Sequence, residues 1–386
     1  MRIYLDHNAT TPPAPEVVEV VARVARDAWG NASSIHHFGQ QAKAALDDAR
    51  AQVAELIGAE PSEVVFTGGG TESDNAAIRG AAEALEPTGR RHLVTTAIEH
   101  EAVLNTMKAL ARRGWRVTFV PVDATGIVSV DAVSEALADD TALVSVMHAN
   151  NELGTVQPIE AIAQAARARG ALVHTDAVQT AGKLPIDVRR MGVDLLSISA
   201  HKFYGPKGAG ALWIRRGVRL VPFLTGGRQE RGRRAGTENV AGIAGMGAAA
   251  ARARQKMARE APRQAALRDR LERGVLAAIA GSERNGAAEP RVPNTTNISV
   301  ERIESESLLI GLDLEGIAVS SGSACSSGTL EPSHVLKAMG LPHARTLGSI
   351  RFSLGEANTD ADVDRVVAVL PGLVEKLRNL TVTMKR

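Results

Sequence analysis

The chain has 386 residues, enough to bury a sizeable core and to divide into two compact units. A formal net charge of +2 is too small to imply nucleic acid or an anionic membrane surface as a partner. A single cysteine, Cys325, excludes an intrachain disulfide and a cysteine-rich metal cage, which fits a reducing compartment. The start, "MRIYLDHNATTPPAPE", carries acidic and polar residues where a signal peptide needs an apolar core, and no apolar run is long enough to span a bilayer. The expectation is a soluble, cytoplasmic protein.

Taken in chain order, "PEVVEVVARVARDAWG" places Val17, Val18, Val21, Val24, Ala25 and Ala28 on one helical face, with Gly30 as a stop. "QQAKAALDDARAQVAELIG" repeats the scheme with Ala42, Leu46, Ala49, Val53 and Leu56. Seven short apolar runs follow, at residues 64–67, 93–97, 117–122, 143–149, 172–176, 195–199 and 211–214, most of them separated by helical patterns. Runs apolar on both faces argue for a mainly parallel α/β sheet. A long helical stretch, "TENVAGIAGMGAAAARARQKMARE", comes next, and from about residue 262 the pattern is more mixed. There "NISV", "IAVSSG" and "IRFSLG" are candidate strands, and an amphipathic helix closes the chain. The division expected is a large α/β domain over residues 15–258 and a smaller α+β domain made of 1–14 with 259–386.

Ligands of open α/β sheets bind beyond the carboxyl ends of the strands. The polar clusters sit there: "GGGTES" after the first strand, "EH" after the second, "NNE" after the fourth, "TDAVQ" at the fifth and "SAHK" after the sixth. The glycine turn before Thr71 and Ser73 suits either a phosphate cup built on a helix start or a flexible turn with a Thr cap. It lacks the endings of the nucleoside-triphosphate and dinucleotide loops. Lys202, at the mouth of a buried strand, is placed to have its pKa lowered and to react with an aldehyde. Asp176 at the end of another strand reads as a loop cap or as the carboxylate that a pyridoxal phosphate (PLP) enzyme needs facing its pyridine nitrogen. His100 opens a helix where it could stack on a ring and move protons. Arg351 reads as an exposed strand charge or as a bidentate clamp on a substrate carboxylate. The adjacent His36 and His37 make a poor metal pair, and the basic segment "RQERGRRAGTEN" has no interleaved aromatics for nucleic acid.

These segments in this order resemble the NifS/IscS-type cysteine desulfurases of the PLP-dependent class V aminotransferase group, carried by "YLDHNATTP", "GNASSIHHFG", "FTGGGTESDN", "ANNELGTVQPI", "HTDAVQTAGK", "SAHKFYGPKG", "SSGSACSSG" and "IRFSLGEANT". The resemblance implies the PLP-dependent transferase fold (fold type I). It implies that Lys202 carries PLP, Asp176 pairs with the ring nitrogen and His100 stacks over the ring. Asn151 and Gln179 would bind the ring hydroxyl side, and Gly70, Thr71, Ser199 and His201 the phosphate. Thr237 would reach a neighbouring subunit's phosphate in a homodimer. Arg351, with Asn31 nearby, would bind the carboxylate of L-cysteine. Cys325 would take the sulfur as a persulfide for an iron–sulfur scaffold or another acceptor protein, and is a candidate transient cluster ligand. The rivals are a selenocysteine lyase, a plain aminotransferase, and a non-catalytic cluster scaffold, for which one cysteine is too few ligands.

Overall fold

The computed structural model describes residues 2–321 and 332–384, so Cys325 lies outside the described residues. The first half of the chain is β1 (Ile3–Tyr4), α1 (Pro15–Asp27), α2 (His37–Leu56), β2 (Val64–Thr67), α3 (Gly70–Leu85), β3 (His92–Thr96), α4 (Glu101–Arg112) and β4 (Arg116–Val120). It continues through α5 (Val130–Ala136), β5 (Thr141–Ser145), α6 (Ile159–Ala168), β6 (Leu172–Asp176), α7 (Val188–Met191), β7 (Leu195–Ser199) and β8 (Gly210–Ile214). The second part is α8 (Val240–Ala278), β9 (Ser282–Asn285), β10 (Thr295–Val300), α9 (Ser305–Leu314), β11 (Ile317–Ala318), α10 (His334–Ala338), α11 (His343–Leu347), β12 (Ser349–Ser353) and α12 (Asp360–Met384).

The seven expected apolar runs form one sheet in the order β2-β8-β7-β6-β5-β3-β4. All its pairings are parallel except those of β8, which runs antiparallel to both β2 and β7. Side chains alternate across a strand, and here each face meets its own layer. Val64, Phe66, Val94, Val144, Val173 and Leu196 enter one buried cluster with α1, α2 and α6. Val65, Leu93, Leu143, Leu195 and Leu212 enter the other with α3 and α4. The two-sided apolar runs are thus strands buried on both faces. β4 is the exception, an edge strand whose Phe119 is 37% exposed.

A second core lies around the antiparallel sheet β12-β10-β9 and the β1–β11 pair, where Leu5, Leu271, Val275, Ile298, Val300, Leu308, Phe352, Val363 and Leu370 pack together. Among the described residues no helix is long and apolar enough to cross a membrane.

Two expectations need correction. The buried side of α1 is narrower than its valines suggest: Val17 and Val24 are buried, whereas Val18 is 51% exposed. The long helix does not end near residue 262 but runs through Pro262 to Ala278. An interior proline costs a helix roughly 3 kcal/mol. That cost is offset because Met246, Ala249 and Ala250 anchor the first half in the sheet core while Leu267, Leu271 and Val275 anchor the second half in the other.

Candidate active site

The glycine turn is the most constrained piece of the site. Gly69, which precedes α3, has φ 154, and no side chain among the described residues caps the helix. The first backbone N–H groups of a helix have no internal partner, so those of the α3 start are left for an anion. Gly210 pairs with both Thr67 and Ser199. A Cβ on Gly210 would stand 2.6 Å from Gly69 Cα, so strand and turn touch backbone to backbone. The buried Ser199 hydroxyl lies 3.9 Å from where a Cβ on Gly69 would stand. Thr71 is exposed at the second helical position. Ser73, expected to add its hydroxyl to the cup, is fully buried instead. It hydrogen-bonds Thr67 Oγ1 at 2.8 Å and donates to Gly69 O at 3.1 Å, tightening the turn from behind.

Beyond β7, a single 3₁₀ turn presents His201 and Lys202. Lys202 Nζ donates to Asn8 O at 2.5 Å and Ala9 O at 2.9 Å, and His201 Nδ1 meets Thr10 Oγ1 at 3.1 Å. Burial pushes the His201 ring down to about 4, helped by the neighbouring Lys202 charge, so it is neutral at pH 7. At the end of β6, Asp176 accepts from Val178 N at 2.9 Å. Burial pushes its carboxyl up, against the pull of the His100 ring, the Val178 hydrogen bond and the Lys202 charge.

His100 caps α4, its Nδ1 accepting from Ala102 N at 3.1 Å. Burial lowers its pKa, so the ring is neutral and the proton resides on Nε2. Each of His100, Asp176 and Lys202 acts on the charge of another, which places the three strand ends in one electrostatic neighbourhood.

Gln179 joins this group from below: its Nε2 donates to Asn8 O at 3.0 Å, and its Oε1 accepts from Lys183 Nζ at 3.0 Å. The Asn151 carbonyl accepts from Asn8 Nδ2 and from Arg351 Nη1, each at 3.1 Å. Arg351 is buried, not an exposed strand charge, and its Nη2 bonds Asp6 Oδ1 at 2.6 Å, while its Nε has no hydrogen-bond partner among the described residues.

Two further expected residues lie in exposed segments. Asn31 Oδ1 accepts from Ser33 N at 2.9 Å in its own exposed turn, and Thr237 is exposed on the segment before α8. Among the described residues no group of three or more His, Cys, Asp and Glu could hold a metal ion. Sequence reasoning missed Asn8, whose backbone and side chain join Lys202, Gln179 and Asn151, and Lys183, which burial and the Lys202 charge push down to about 7. Both lie in motifs quoted above, "YLDHNATTP" and "HTDAVQTAGK". It also missed Asp74 and Glu99, fully buried acids behind Asp176 whose pKa values burial raises.

The residues fit a phosphorylated pyridine aldehyde. The uncapped α3 start beyond β2 would take the phosphate, and a lysine amine stands beyond the end of β7, across β8. Asp176 is a buried carboxylate held up by desolvation, and a pyridinium cation would relieve that.

Comparison with known proteins bears on the same regions. Residues 3–366 match the class-V aminotransferase family. A cysteine desulfurase of Trichormus azollae is 52% identical over 379 residues, covering 98% of this chain and 94% of that protein. The solved structure of a NifS-like protein superposes with a TM-score of 0.92 at 39% identity, over 98% of this chain and 100% of that one. A structure of SspA in complex with cysteine gives 0.81 at 37% identity, over 92% and 99%.

Proposed function

We propose, for a chain that belongs to the class-V aminotransferase family, that it is a PLP-dependent cysteine desulfurase. It takes sulfur from L-cysteine, leaves L-alanine and donates the sulfur to iron–sulfur cluster assembly. The observation that carries this reading is the meeting of an uncapped helix start, a buried carboxylate and a lysine amine at the ends of β2, β6 and β7. The chain's one cysteine is then available as sulfur acceptor.

Bound PLP supplies an electron sink that acidifies the substrate's Cα–H and makes its C–S bond breakable. Gly70, Thr71, Ser199 and His201 hold the phosphate, with Thr237 reaching the other protomer's phosphate in a homodimer. Asp176 keeps the ring nitrogen protonated, Asn151 and Gln179 bind the hydroxyl side, and Lys202 is the attachment point. His100, neutral with its proton on Nε2 because Nδ1 accepts from Ala102 N, would lie over the ring and donate the Nε2 hydrogen in a bond that favours the thiolate. The Lys202 amine takes the α-proton. Arg351, on exchanging Asp6 for the substrate, binds its carboxylate beside Asn31.

Cys325 as thiolate attacks the substrate sulfur. The new S–S bond forms as the Cβ–S bond breaks, the electron pair stays with carbon, and protonation there gives alanine. L-cysteine and one enzyme thiol thus become alanine and one persulfide, with atoms and electrons balanced. Only a minor fraction of an ordinary thiol, pKa about 8.5, is ionised at neutral pH, which gives His100 its role.

The protein acts in the cytoplasm, and its two units divide at residues 15–258 and 1–14 with 259–386, the boundary falling inside α8. The acceptor is an iron–sulfur scaffold or another sulfur-accepting protein. A single turnover with L-cysteine tests the reading: intact-mass analysis should find one added sulfur on the wild type and none on Cys325→Ala. A persulfide on neither would sink it.

A further inference from the structure

Glu72 is the third residue of α3, next to Thr71, at the helix start assigned above to the phosphate. Its Oε2 accepts from Gly68 N at 2.7 Å, so the carboxylate folds back over the glycine turn. A helix start favours a carboxylate for the same reason that it favours a phosphate. An unneutralised Glu72 would therefore compete for the dipole and repel the dianion.

Arg234 resolves that conflict. Its Nε donates to Glu72 Oε1 at 2.8 Å and its Nη2 to Oε2 at 3.3 Å, a two-point contact with side chains only 25% and 19% exposed. The segment bearing Arg234 is gripped a second time, on the other side of the turn. Buried Glu230 takes both ends of the Arg50 guanidinium, at 2.7 and 2.6 Å, and the Phe66 N–H at 3.0 Å. Its backbone, at φ 45, is in the left-handed region that a non-glycine residue adopts at a cost, which this buried anchorage offsets.

We propose that Glu72 and Arg234 form a charge-neutralising pair that sets the affinity of the glycine turn for the cofactor's phosphate. Arg234 is a positioning residue: it acts through Glu72 and the turn. The proposal rests on the phosphate-cup part of the reading above and adds to it which side chains tune the cup.

The test titrates the full-length protein with PLP and, separately, with pyridoxal, which has the same ring and aldehyde but no phosphate. Binding is followed by the visible absorbance of the adduct. Arg234→Ala should weaken PLP by about tenfold or more and leave pyridoxal within about twofold, because only the dianion feels the exposed carboxylate. Adding Glu72→Gln to that variant should return PLP to within about threefold of wild type, since no charge then needs neutralising. Arg234→Lys should hold most of the affinity.

Equal weakening of both ligands would overturn the proposal. So would a double variant as weak as Arg234→Ala, which would make the pair a mechanical tie. Thermal melts of the same variants show whether the fold is retained. If wild type binds pyridoxal as tightly as PLP, the phosphate cup itself fails and takes the proposal with it.

Discussion

Gly210→Ala perturbs the phosphate turn without removing any group that touches the cofactor. The new Cβ would stand 2.6 Å from Gly69 Cα, 2.7 Å from its carbonyl carbon and 2.9 Å from its nitrogen. These are backbone atoms, so no side chain can rotate out of the way. Either β8 slides against β2 and β7, to which Gly210 is paired, or Gly69 moves and the start of α3 with it. Overpacking of this kind costs about 1–3 kcal/mol. If PLP binding must restore the turn, that becomes a loss of roughly five- to 150-fold in affinity.

Gly70→Ala is the control. Its Cβ would meet Val178 Cγ2 at 2.9 Å, one side-chain methyl rather than backbone, with Ser199 Cβ at an easy 3.6 Å. It should cost no more than about threefold. The assay is a PLP titration of both variants with melting curves alongside. If Gly210→Ala bound PLP like wild type and melted at the same temperature, the backbone contact would not be what shapes the cup.

Other outcomes follow from the same geometry. Glu230→Gln leaves the buried Arg50 cation half-paired and should destabilise the fold by about 3–5 kcal/mol in urea denaturation; a change below 1 kcal/mol, on the order of a surface pair, would contradict its burial. Asp6→Asn should lower KM for L-cysteine, because Asp6 occupies Arg351 at 2.6 Å in the free protein. A raised KM with unchanged kcat would mean that Asp6 orients the guanidinium instead.

Stability should fall away on both sides of mildly acidic pH. Burial holds His174 neutral down to about 3, from an ordinary 6.5, so the unfolded chain binds more protons in that window and stability is lost as pH falls through it. Burial holds Glu99 protonated up to about 8, from an ordinary 4.5, so the folded chain binds more protons there and stability is lost as pH rises. Glu99→Gln should flatten the alkaline arm of a urea-midpoint profile and leave the acid arm in place.

Strands bounded by polar turns and apolar on both faces were legible almost to the residue, as at 64–67, 172–176 and 195–199. Alternation across a pleat leaves little choice once both sides must be buried. Their polar ends were legible for the same reason, and Lys202, Asp176 and His100 do share one electrostatic neighbourhood. Features set by distant packing were not. The exposure of Val18 depends on how α1 leans on α8, and the passage of α8 through Pro262 depends on two cores holding its halves. Ser73 carries a hydroxyl suited to a cup, and only the fold shows that Thr67 claims it. The Glu72–Arg234 contact joins residues 162 positions apart, and the role of Asn8 rests largely on a backbone carbonyl, which a sequence does not distinguish. Cys325 was singled out by its Ser/Gly surroundings, and its place relative to Lys202 lies outside the described residues.

The central claim is that this chain breaks the C–S bond of L-cysteine. Its most direct test is to incubate the purified, PLP-loaded protein with L-cysteine and a thiol reductant and to quantify alanine and sulfide in the same samples. The account predicts the two in equal amounts, both abolished in Lys202→Ala. Neither product, despite a bound-PLP spectrum, would contradict it and favour an aminotransferase or a selenocysteine lyase.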